Sequence, residues 1–154
     1  MTDRRLFSAG LLTLGLALSG CSTAGAPPAA ASGASAGSYI AGIRANAGLP
    51  ALAQSATLER AARTQAGYMA GNSRMSHTTG FGRDFASRLR QAGIRGPAAE
   101  NVARGQQDIG QVFQAWMNSA GHRRNLLDPA FGHYGLAYSV DGAGRKYWAL
   151  VLAP

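Results

Sequence analysis

Hydrophobic positions along this chain follow one spacing in its middle and another near its end. In residues 39–47, Ile40 and Ile43 stand three apart and predict a short helix, closed by Gly48 and Pro50. In residues 57–71, Leu58, Ala61, Ala62, Gln65, Tyr68 and Met69 fall on one helical face. Ser55 or Thr57 can cap that helix, and Gly71-Asn72-Ser73 ends it. A third short helix is expected over residues 84–91, with Phe85 and Leu89 inward and Gly93 as its stop. A strand is expected near Glu100-Asn101-Val102. Ile109, Val112, Phe113 and Trp116 then recur at three- and four-residue steps, which predicts a helix over 108–119 capped by Asp108. Gly121 is the expected stop, which would deliver His122 just past a helix C-terminus. Past Pro129 the pattern becomes strand-like over 134–140 and 146–152, with the turn residues Asp141-Gly142-Ala143-Gly144 between. Helices first and a terminal hairpin last make the fold class α+β.

The start of the chain has a different character. Arg4 and Arg5 precede an apolar run over 11–18 that is too short to span a bilayer and fits a signal-peptide core. The run ends Leu18-Ser19-Gly20-Cys21, which resembles the lipobox of bacterial lipoproteins. That resemblance implies a signal peptide over 1–20, lipidation of Cys21 and a membrane anchor. The alternative is a plain secretory signal with an incidental cysteine. Asp3-Arg4-Arg5-Leu6-Phe7 also resembles a twin-arginine export motif, without the usual serine or threonine before the pair. Residues 22–37 are almost entirely Ser, Thr, Ala, Gly and Pro, so 21–37 is expected to be a flexible tether and 38–154 the folded domain.

Composition narrows the partners. The 154 residues suit one compact domain, expected to be a monomer. The formal net charge is +8, carried by fourteen arginines and one lysine. Such a balance suits an anionic membrane surface or cell-wall polymer. The arginines are scattered with no run of five, so no nucleic acid is expected as partner. Cys21 is the sole cysteine, so no internal disulfide can form.

His77, Glu100 and His122 are the residues with chemistry to offer, each beside a small neighbour: Ser76, Ala99 and Gly121. Two histidines and a carboxylate form a known zinc set, and here they are far apart in sequence. They are expected to line one solvent-reachable cleft and to hold at most a weakly bound divalent metal such as zinc, chiefly through His77 and His122. Each also has a plainer reading. His77 can be an exposed loop residue, Glu100 a surface carboxylate paired with an arginine, and His122 a helix C-cap. His133 reads as a solvated loop residue, and Trp116 and Trp148 as core.

Four stretches together resemble the CAP superfamily, also called the SCP-like extracellular domain. They are Ile43-Arg44-Ala45-Asn46-Ala47-Gly48-Leu49-Pro50-Ala51-Leu52, Met75-Ser76-His77, Glu100-Asn101-Val102-Ala103, and the segment from Ala115-Trp116-Met117-Asn118-Ser119 through Gly121-His122-Arg123-Arg124-Asn125 to Leu127. Phe131 through Ala137 resembles the family's glycine-containing final segment. The resemblance implies an α-β-α sandwich with a cleft lined by histidines and acidic residues. His77, Glu100 and His122 match three of four such positions. The second glutamate would fall near Ser119, and His133 stands where many bacterial members have glutamate before the final glycines. Ser119, Asn125 and Asn101 are secondary cleft candidates. The expected function is an envelope-anchored binding module for a lipid, glycan or protein ligand, with a metal-dependent hydrolase using the same cleft as the alternative. No catalytic residue is assigned.

Overall fold

The structure, a computed structural model, describes residues 33–154, with side chains from Ala36 onward. The expected signal peptide, the lipidated Cys21 and most of the expected tether lie outside the described residues. Helix α1 (Gly33–Ala45) begins inside the segment expected to be tether, and Ala36 and Ile40 are both buried. The alanines there favour helix, and Ala36 gives it a core contact. Strand β1 (Ala53–Gln54) follows, then α2 (Ala56–Gly71), α3 (Phe85–Gln91), β2 (Ala99–Arg104), α4 (Ile109–Asn118), α5 (Ala120–Leu126), β3 (His133–Val140) and β4 (Lys146–Ala153). Among the described residues no helix is long and apolar enough to cross a membrane.

The four strands form one sheet in the order β1-β3-β4-β2. The β3–β4 hairpin is its centre, β2 pairs antiparallel with β4, and β1 pairs parallel with β3. Alternation along β4 sends its side chains into two cores. Trp148, Leu150 and Leu152 meet Ile40 of α1, Val112, Phe113 and Trp116 of α4, and Leu126 of α5. Tyr147, Ala149 and Val151 meet Leu58, Ala62, Ala66 and Met69 of α2, with Phe85 and Leu89 of α3 packed alongside. The result is an α-β-α sandwich.

Small residues let α2 lie close on the sheet. At Gly135 of β3, a Cβ would collide with the backbone of Leu58 and Glu59, so this position requires glycine. Arg44, fully buried, ties the opposite layer together. Its guanidinium donates to the carbonyls of Pro50 at 2.7 Å, Leu126 and Asp128 at 3.0 Å, and Phe131 at 3.3 Å. Four carbonyls take four of the five donors of this delocalised cation, and burial lowers its pKa.

The long helix expected over 108–119 does end there, but Gly121 is not its stop. Ser119 closes α4 with an extended backbone, and α5 begins at once. His122 therefore sits in the first turn of a second helix and is not past a C-terminus. His133 is likewise the first residue of β3 and not a loop residue. It is exposed, and its Nδ1 lies 2.7 Å from the Pro154 carbonyl.

Candidate functional site

Glu100 is the fixed point of the site. It lies on β2 with its side chain toward the α2–α3 layer and is 2% exposed. One carboxylate oxygen meets His77 Nδ1 at 2.8 Å, and the other accepts from Arg88 Nη2 at 2.5 Å. Arg88 also donates to the carbonyls of His77 at 2.8 Å and Arg83 at 2.6 Å. The reading of Glu100 as an arginine-paired carboxylate thus holds, with burial in place of a surface setting. Arg88 itself went unidentified in the sequence reading. The signal was there, because position 88 stands three residues after Phe85 on the inward face of α3.

His77 is held from inside and open outside. Its side chain is 53% exposed, and an ionised carboxylate only accepts, so Nδ1 carries the proton toward Glu100. Nε2 is then the atom left to a ligand: an acceptor on the neutral ring, a donor on the charged one. Gln65 helps to place this loop by donating to the Ser76 carbonyl at 2.5 Å.

His122 lies on the other layer, beside the outer edge of β2. It lines a groove of about 240 Å³ with Met75, Val102, Arg104, Trp116 and Ser119, among others. Burial lowers its pKa first, and the nearby His77 lowers it further. The neutral ring is favoured. The two histidines are therefore electrostatic neighbours, and His77 and Glu100 are in direct contact, but Glu100 does not line the groove that holds His122.

Of the secondary candidates, Ser119 lines this groove. Asn101 and Asn125 do not offer themselves to a ligand. Asn101 is fully buried and donates to the His122 carbonyl at 3.1 Å, and Asn125 Nδ2 donates to Asn101 Oδ1 at 2.8 Å. The pair fastens α5 to β2 and so fixes His122. Trp116 does the same for α4, donating from Nε1 to the Val102 carbonyl at 3.1 Å.

The donor set does not fit a three-ligand metal centre. Both oxygens of Glu100 are engaged, one of them by a guanidinium that a cation would have to displace. Among the described residues no group of three or more His, Cys, Asp or Glu side chains is arranged to hold a metal ion. The two imidazoles alone supply two donors, fewer than a structural or catalytic zinc takes from protein.

Known proteins share this architecture. The chain is 36% identical over 102 residues to the uncharacterized protein YkwD of Bacillus subtilis, a match covering 65% of this chain and 39% of that protein. An extracellular protein containing an SCP domain from Bacillus anthracis superposes with a TM-score of 0.68 at 27% identity, covering 78% of this chain and 39% of that one. An outer surface protein of Borrelia burgdorferi shares the fold, with a TM-score of 0.67 at 24% identity over 75% of this chain and 86% of its own. The chain thus spans about four-tenths of the length of the Bacillus relatives it matches. The family model of the cysteine-rich secretory proteins, CAP, matches residues 38–152, most of the sandwich and all of the site, and the chain belongs to that family.

Proposed function

We propose that this CAP domain is an exported binding module, anchored through a lipid on Cys21 to a bacterial membrane, that engages a lipid, glycan or protein of the cell envelope beside His77 and His122. The state of Glu100 carries the preference for binding over hydrolysis. A general base must reach the proton it abstracts and exchange it with solvent. Glu100 is 2% exposed and bonded at both oxygens, so its role is to orient His77. No serine is hydrogen-bonded to His77 or His122 among the described residues, so the arrangement of an activated nucleophile is missing as well. The open Nε2 of His77 and the groove beside His122 suit recognition. Export is supported by the apolar run and lipobox-like end of residues 11–21, and by a Bacillus anthracis relative described as extracellular.

The test is a titration of the ¹⁵N-histidine-labelled chain, in detergent, with three probes: phosphatidylglycerol vesicles, soluble peptidoglycan fragments and an acidic peptide. At least one should shift the His77 or His122 ring signals and be recovered chemically intact, and His77→Ala should weaken it about tenfold, the loss of one charge-assisted hydrogen bond. Failure of all three, or hydrolysis of any, contradicts the proposal. Anchoring is tested separately. Cys21→Ser should leave an uncut precursor or release the protein from membranes, and an unmodified Cys21 in the mature protein contradicts it.

A further inference from the structure

We propose that the outer edge of β2, toward Arg104, takes an extended peptide segment bearing acidic side chains as a fifth strand, which rests on the binding reading above and names its ligand. β2 is the last strand of the sheet, paired only with β4 among the described residues. The Gly105 N–H donates to the Lys146 carbonyl at 2.9 Å, and the β2–β4 register then turns the main-chain groups of residues 101 and 103 toward β4. Those of Val102 and Arg104 face outward. The Trp116 indole takes the Val102 carbonyl. The Val102 N–H and both main-chain groups of Arg104 have no partner among the described residues.

Three free main-chain groups along one strand edge match another extended backbone. The groove that His122 lines is also lined by Val102 and Arg104, together with Trp116, Ala115, Ser119 and Met75, which is 47% exposed. Its volume of about 240 Å³ lies below the roughly 300–1,000 Å³ of small-molecule pockets, so it suits single side chains of a strand. Gln106 lines the same groove, and its buried Oε1 has no hydrogen-bond partner among the described residues.

Charge selects the sequence. Arg104 lines the groove and Arg74 adjoins Met75, and neither forms an ion pair among the described residues. The one carboxylate on β2, Glu100, is already neutralised by Arg88. An acidic residue in the added strand would meet these arginines without a competing anion.

The probe is the capped peptide Val-Asp-Val-Asp-Val-Asp-Val, titrated into the ¹⁵N-labelled full-length chain in detergent. The Val102 and Arg104 amide signals should move. Methylating every peptide nitrogen should weaken binding several-fold, because the peptide N–H to the Arg104 carbonyl is lost. Lysine in place of aspartate should abolish it. Arg104→Ala removes the guanidinium and its stem but keeps the edge N–H, and should weaken binding about two- to fivefold, an exposed pair's worth. Arg104→Pro also removes the edge N–H, at an edge position where proline is tolerated, and should weaken it further. The methylated peptide keeps the test decisive if the proline variant does not fold. Equal binding of plain and methylated peptides, unmoved Val102 and Arg104 signals, or self-association that buries β2 in a second copy overturns the inference. If vesicles or peptidoglycan fragments still shift the histidines in that case, the inference fails alone. If no probe shifts them, the binding reading fails with it.

Discussion

Arg88→Met removes the one cation that faces Glu100 inside the protein. Methionine keeps an apolar stem beside Phe85 and takes away the guanidinium, which is buried on α3. Glu100, 2% exposed, would then keep only His77, and the carbonyls of His77 and Arg83 would lose their donor. Removing one member of a buried ion pair costs about 3–5 kcal/mol, mostly because the other charge is left uncompensated. The two carbonyls lie in a loop that solvent reaches, so they add little. Against a total of about 5–15 kcal/mol for a domain, the variant should stay folded but marginal. Urea unfolding followed by circular dichroism measures the loss. The double variant Arg88→Met, Glu100→Leu removes the stranded charge and should recover about half of it or more, a coupling well outside the additive range. A single-variant loss below about 1 kcal/mol, or a double variant as unstable as the two single losses summed, would refute the picture of a sealed Glu100.

Three further outcomes follow from the packing. Trp116→Ala should cost about 3–5 kcal/mol in the same titration, since the indole is 1% exposed and also donates to the Val102 carbonyl. Gly135→Ala should fail to accumulate as folded protein, because its Cβ has no space against the α2 backbone, and a normal melting curve would contradict that. Asp141, whose pKa is lowered to about 2 chiefly by the Arg145 N–H, stabilises the β3–β4 turn while ionised. Its contribution is complete above its unfolded value of about 4 and lost as pH falls through about 2, so Asp141→Asn should flatten the acid limb of Tm against pH.

Periodicity made the larger elements legible. The stripe ending at Trp116 names its own buried face, because burial on one side leaves that period in the sequence, and the near-continuous apolar run of β4 marks a strand buried on both faces. The second helix that begins straight after Ser119 left no such mark. Two helices joined at one extended residue keep nearly the same spacing of apolar positions as one helix, so Gly121 looked like the stop. The early start of α1 was hidden by its alanines and serines, which suit helix and tether alike. His77, Glu100 and His122 were recognisable by residue type and by likeness to a family. Their pairing was not, because Arg88 reaches Glu100 from another element and asparagines hold α5 in place. Those are tertiary contacts that no local pattern records.

Glu100 acts as a clamp that presents the outer nitrogen of His77. The tautomer of His77 reports this directly. In a long-range ¹H–¹⁵N spectrum of the unliganded chain at about pH 8.5, where an ordinary imidazole is neutral, the ring should carry its proton on Nδ1 and leave Nε2 bare. Glu100→Gln should release that preference. A ring protonated on Nε2, or one unaffected by Glu100→Gln, would show that the carboxylate does not hold it and would contradict the account.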